Sequence, residues 1–105
     1  MKTFFFDSIY NTQEFALKEL SSEPIFVTSF SQEKGKGTSN REWLNADQAI
    51  ACSLALFEEH IKISHTLIPL VAGFAFVKVF QDIDLTLKWP NDIIFNEKKV
   101  GGILV

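Results

Sequence analysis

The sequence predicts an α+β fold on three observations: short β-branched and aromatic segments recur along it, two stretches carry helix signals, and the last twenty residues read as a strand, a tight corner and a hairpin. With 105 residues, 47% of them hydrophobic and eleven of them phenylalanine, the chain has enough apolar matter for the core of one domain.

Thr3 to Ser8 is short and rich in phenylalanine, as a strand is. Asn11, with Glu14 three residues later, has the spacing of an N-cap and its reciprocal acid. A helix from about Thr12 to Leu20 follows, with Phe15, Ala16, Leu17 and Leu20 on one stripe, and Ser21-Ser22-Glu23-Pro24 ends it. Ile25 to Phe30 predicts a second strand, and Ser31 to Asn45, almost without apolar side chains, a long polar loop. Ala49 to Phe57 is ambiguous, because its alanines and leucines favour helix while its length and unbroken apolar character fit a buried strand. Thr66 is suited to cap a helix with Pro69 in its first turn, and the apolar character of Leu67 to Phe80 predicts that this helix is buried almost all round. Leu85 to Trp89, Ile93 to Phe95 and Val100 to Val105 predict three short strands, joined by Pro90-Asn91-Asp92 and by Asn96-Glu97-Lys98-Lys99.

A formal charge of -3 argues against a nucleic-acid partner, since phosphate-backbone binding is driven by lysine and arginine releasing counterions. Cys52, the single cysteine, lies in an apolar run and reads as a buried structural thiol, which leaves no disulfide framework. The N-terminus turns polar at Asp7, too early for a signal-peptide core of about 7 to 15 residues. Leu67 to Val77 is interrupted by Pro69 and Gly73 and ends at Lys78, short of the roughly 20 residues of a membrane span. A cytoplasmic protein that engages neither DNA nor a membrane is expected. His60 and His65 are isolated and read as surface histidines, and Glu58 with Glu59 as the solvated end of a strand.

Three segments carry candidate chemistry. Gln32 to Trp43 combines glycines, basic side chains and an aromatic plate, the parts of a site for an anionic, flat-ringed ligand, although a solvated loop has the same composition. Lys88-Trp89-Pro90-Asn91-Asp92 sets a base, two ring residues, an amide and a carboxylate at the end of a strand, more than a plain Pro-Asn-Asp turn requires. Lys99 stands before Val100, Gly101 and Gly102, where a lysine beside closely approached backbone can meet two anions, or can be an ordinary hairpin-tip lysine.

In this order, the segments resemble the catalytic domain of the biotin protein ligases, also called biotin-[acetyl-CoA-carboxylase] ligases or holocarboxylase synthetases. The family pattern runs S-T-N-x-x-A, Q-x-x-G-R-G-R-R-G-R-x-W, K-W-P-N-D and K-x-x-G-[IV]-L-V. The matching stretches are Asn11 to Ala16, Gln32 to Trp43, Lys88 to Asp92 and Lys99 to Val105, with the last two highly specific. The resemblance implies a mixed, mostly antiparallel sheet with packed helices, of the class II aminoacyl-tRNA synthetase and biotin ligase type, in which Ala49 to Phe57 is a strand.

The resemblance further implies that biotin and MgATP give biotinyl-5'-adenylate and pyrophosphate, and that a lysine of a biotin carboxyl carrier domain then takes the acyl group. It makes Lys99 the catalytic lysine. Asn11, Thr12, Gln13, Gln32, Gly35, Lys36, Gly37, Thr38, Lys99 and Gly102 would line the biotin site, and Arg41, Trp43, Lys88, Asn91 and Asp92 the ATP site, with Asp92 also orienting magnesium. A homodimer is compatible with it. The loop departs from the pattern: Lys36, Thr38 and Ser39 stand where the family has arginines, and Asn40 where it has glycine, which predicts weaker retention of the adenylate. The chain stops at Val105, so residues 1–105 read as a partial catalytic domain, without the small C-terminal domain and without an N-terminal DNA-binding domain. Two rivals stay open: a non-catalytic biotin-binding fragment, and a related ligase for lipoate or another acyl group.

Overall fold

The computed structural model describes residues 1–43 and 47–105, and these fall into two compact units, Met1–Lys62 and Ile63–Val105, where composition alone suggests one domain. The end of the expected polar loop, residues 44 and 45, lies outside the described residues.

The first unit is built on strands β1 (Lys2–Phe6), β2 (Ile25–Ser29) and β5 (Ala51–Ala55), with helix α1 (Thr12–Glu19) between the first two. β1 and β2 are parallel, so the chain needs a crossover between them, and α1 is that crossover. β5 joins the other side of β2 antiparallel, with Val27 opposite Ser53 and Ile25 opposite Ala55. The pairing settles the ambiguous stretch as strand, against its local helix preference, because neighbours in a sheet outweigh propensity.

Alternation along these strands sorts the side chains. Phe4 and Phe6, Ile25 and Val27, and Ala55 share the face that α1 covers, where Ala16, Ile25, Val27 and Ala55 are buried. Phe15 of α1 meets the rings of Phe4 and Phe6 edge-on, each at 5.0 Å. Leu17, placed on the apolar stripe by its spacing, instead faces solvent at 61% exposure. The opposite parity exposes Phe5, Leu54 and Cys52. Cys52 is therefore not the buried thiol its apolar surroundings suggested, although nearby chain still withdraws enough water from the sulfur to raise its pKa.

Asn11 caps α1 as its spacing predicts: its Oδ1 accepts from the Glu14 backbone N–H at 3.0 Å, a bond worth about 1 kcal/mol. Beyond β2, the expected loop contains a small hairpin, with β3 (Gly35–Lys36) antiparallel to β4 (Glu42–Trp43).

The second unit begins with a 3-10 turn, His65–Leu67, that runs into helix α2 (Ile68–Val79). Thr66 does not cap the helix; its hydroxyl pairs with Ser64 Oγ at 2.9 Å, and the N-cap position is Leu67, with Pro69 in the first turn. Nor is α2 buried all round. Of its residues only Gly73 is buried, while Val71, Phe74 and Val79 are 53%, 61% and 77% exposed. Within this unit the helix packs on strands along one side only, and a Cβ at Gly73 would come within 2.7 Å of Ile103 Cδ1 and 2.9 Å of Leu87 Cδ2. Glycine thus sets how closely α2 lies against those side chains.

Strands β6 (Thr86–Lys88), β7 (Asp92–Phe95) and β8 (Lys98–Gly102) form an antiparallel meander. The Trp89–Pro90 peptide at its first corner is cis. Asn96 and Glu97, with φ of 49° and 64°, make the two-residue connection whose twist matches the strands on either side. The third strand lies earlier than Val100 to Val105 suggested, because Lys98 and Lys99 already pair with β7. His60 and His65 are exposed, as expected. No described helix is long and apolar enough to cross a membrane.

Candidate functional site

The sequence-predicted residues assemble into two clusters, one in each unit. In the first unit, Thr12 opens α1 and is buried. Its backbone N–H and its hydroxyl both donate to Gln32 Oε1, at 2.8 and 2.9 Å, and its Oγ1 lies 2.8 Å from Ser53 Oγ. Gln32 is held in place by the backbone: it bridges to Ile9, and Glu33 N–H and Lys34 N–H donate to the carbonyls of Ile9 and Tyr10. Asn11 Nδ2 donates to Lys34 O at 2.8 Å, so the capping residue of α1 also fastens the foot of the β3–β4 hairpin.

The hairpin brings Gln32, Gly35 and Trp43 together. A Cβ on Gly35 would stand 3.1 Å from both Gln32 Nε2 and Trp43 O, so glycine is what allows the carboxamide to lie against this strand. Gly37 N–H donates to Arg41 O at 2.7 Å, and Ser39 and Asn40, both with positive φ near 58°, turn the chain between them. Thr38 lies on this exposed turn, and Arg41 and Trp43 are exposed beyond it. Lys36 reaches Glu14 at 3.5 Å, a solvent-facing pair of small energetic weight. Gln13 is half-buried beside Thr12. A shallow cleft of about 220 Å³ is lined by Lys34, Gly35, Lys36, Asn40 and Glu42. A larger hollow, about 520 Å³, lies at the end of α2 and holds none of the candidate residues.

In the second unit, Lys88, Asp92 and Gly102 stand opposite one another across β6, β7 and β8. Ile94 is opposite Lys99, and the register then shifts between Ile93 and Ile94, so that β8 carries one residue more than β7 over this stretch. Asp92 and Ile94 share a face by alternation, so Lys99 shares it too, and its Nζ lies 3.0 Å from Asp92 Oδ1. The pair is part-exposed, with Asp92 at 23% and Lys99 at 47%, so its importance is positional rather than energetic. Lys88, Asp92 and Lys99 together leave a net positive charge on this face, suited to an anion.

Asn91 is tied to the backbone that follows β8. Its Nδ2 donates to Ile103 O at 3.1 Å, and its own carbonyl accepts from Ile103 N–H at 2.9 Å. Those bonds hold the chain beyond Gly102 against the Pro90-Asn91-Asp92 corner. Among the described residues, no group of three or more His, Cys, Asp or Glu would hold a metal by itself. One carboxylate such as Asp92 suits magnesium that arrives with phosphate oxygens and water as its other ligands.

Ser53 belongs to the first cluster and escaped the sequence reading. The signal was present, since Ser53 is the only hydroxyl residue between Ala49 and Phe57.

Comparison with known proteins identifies the fold and the family. The human biotin–protein ligase is 33% identical over 94 residues, which cover 77% of this chain and 12% of that protein. Among solved structures, the biotin acetyl coenzyme A carboxylase synthetase of Helicobacter pylori with bound biotinylated ATP superposes with a TM-score of 0.86 at 30% identity, over 99% of this chain and 54% of that one. The biotin protein ligase of Aquifex aeolicus in complex with biotin and ATP gives 0.80 at 31% identity, over 98% of this chain and 45% of that one. The chain thus spans about half the length of these two solved relatives and a smaller part of the human protein. The mixed, mostly antiparallel α+β fold is that of the biotin protein ligases. The family match runs through both clusters, over residues 5–105, and the chain belongs to the biotin/lipoate A/B protein ligase family.

Proposed function

We propose that this chain activates biotin with ATP and passes the biotinyl group to a lysine of a biotin carboxyl carrier domain, as a cytoplasmic biotin protein ligase. The observation that carries the reading is the Lys99–Asp92 pair, a lysine held at 3.0 Å by a carboxylate on a face that keeps a net positive charge. Of two solved relatives with about 30% identity, one holds biotin and ATP and the other biotinylated ATP, which supports biotin and ATP as ligands here.

The biotin carboxylate attacks the α-phosphorus of ATP, forming biotinyl-5'-adenylate and releasing pyrophosphate. Two anions must approach, and Lys99 lowers their repulsion and stabilises the charge that builds on the phosphoryl oxygens. Asp92 keeps the ammonium aimed along the sheet face, and Lys88 adds a second cation at the same rung. Magnesium bound with the nucleotide would supply further neutralising charge, and Asp92 is the carboxylate that would hold it. Thr12 and Gln32 hydrogen-bond the ureido ring, and the backbone from Gly35 to Thr38 folds over it. Asn11, through its bond to Lys34, keeps the hairpin in register with the helix that carries Thr12. Trp43 walls the ligand and Arg41 faces phosphate. In the second step the carrier lysine attacks the acyl carbon and AMP leaves.

Pyrophosphate release from the full chain, measured with biotin, with lipoate and without an acid, tests the reading. Release with biotin, followed by label transfer to a carrier domain, is expected; release with lipoate alone makes the chain a lipoate ligase, and biotin binding without release a non-catalytic binder. The Thr38→Arg variant is expected to hold the adenylate roughly fivefold longer, because a cation at the turn can pair with its phosphate. Equal dissociation rates for the two proteins would count against that role of the turn.

A further inference from the structure

We propose that Ser53 is a positioning residue for the biotin site: it donates to Thr12 and holds the Thr12 hydroxyl where that hydroxyl donates to the Gln32 carboxamide. The inference rests on the biotin-site reading given above. It follows from which groups are able to donate. A backbone N–H only donates, so the Gln32 atom 2.8 Å from the Thr12 nitrogen is the acceptor Oε1 and not the amide nitrogen. Oε1 carries no hydrogen, so its 2.9 Å contact with Thr12 Oγ1 uses the one hydrogen of that hydroxyl. With that hydrogen committed, the 2.8 Å contact between Thr12 Oγ1 and Ser53 Oγ is made by the hydrogen of Ser53.

The relay therefore runs one way, from Ser53 to Thr12 to Gln32. Its end point is a carboxamide whose oxygen takes two donors from Thr12 and whose Nε2 lies against Gly35. Ser53 is placed by strand parity: it lies opposite Val27 on the face of β5 that α1 covers, where a hydroxyl is part-shielded from water and its bond is correspondingly stronger. Removing it unlocks Thr12 without touching Gln32 or the hairpin.

The test uses the full chain and its Ser53→Ala and Ser53→Thr variants, with biotin titration, thermal melts and 1H–15N spectra that resolve the Gln32 side-chain amide. Ser53→Ala is expected to bind biotin about fivefold more weakly and to displace the Gln32 amide signals, with little change in Tm. Ser53→Thr restores both. Wild-type affinity in Ser53→Ala, or a Ser53→Thr variant as impaired as Ser53→Ala, overturns the proposal. A wild-type chain that melts cooperatively and takes up no biotin overturns the reading of the site instead, and the relay then stands or falls on the amide shift alone.

Discussion

Lys99→Ala is expected to lower biotin-dependent pyrophosphate release by roughly a hundred- to a thousandfold, the range for removing a group that stabilises transition-state charge. The expected loss is in kcat, because the charge that Lys99 meets is greatest as the carboxylate and the phosphorus approach. Biotin affinity in the absence of ATP should fall much less. Lys99 lies on an outer strand and is 47% exposed, so the variant should melt within a few degrees of the wild type. Asp92→Asn provides the companion measurement. It leaves the cation and removes the carboxylate 3.0 Å away, and so should reduce turnover less than Lys99→Ala does. Single-turnover adenylation of both variants, followed by melts, checks the ranking; an active Lys99→Ala enzyme would remove Lys99 from the chemistry.

Ile25→Ala should destabilise the first unit by about 2 to 4 kcal/mol, through lost burial plus the cavity left behind. Ile25 is 2% exposed, lies opposite Ala55 and packs in a small cluster with Ala16 and Val27. Ala55 has no side chain with which to fill the gap. Whole domains are stable by only about 5 to 15 kcal/mol, so a loss of that size is a large share. Leu17→Ala, at a position 61% exposed on the same unit's helix, should change stability by no more than about 0.5 kcal/mol. Urea denaturation of the two variants beside the wild type reads both numbers. A Leu17→Ala effect as large as that of Ile25→Ala would mean that the core has been placed on the wrong side of α1.

Local chemistry was legible along the chain. Asn11 and Glu14 announced the start of α1, and Asn11 does cap it. The closing strand, corner and hairpin stood out as alternation broken by turn residues, and the Asn96-Glu97 connection falls within the turn the pattern marked, although Lys98 and Lys99 already belong to the strand. Long-range pairing was not legible from propensity alone. The register that makes β5 a strand is set by β2, some twenty residues upstream, and local preference for that segment pointed to helix. Cys52 and Leu17 were misplaced for the same reason, since an apolar neighbourhood does not reveal which way alternate side chains will point.

The sequence by itself determined the family and the kinds of residue in the second cluster, because KWPND and KVGGILV keep side-chain chemistry in a fixed order along the chain. Tertiary structure alone decided the pairing of Lys99 with Asp92 across a shifted register, the turning of Asn91 to the backbone of Ile103, and the entry of Ser53 into the Thr12–Gln32 network. The physical reason is that strand register and face are properties of paired strands, and a hydrogen bond between residues 41 positions apart exists only once helix α1 and strand β5 have met.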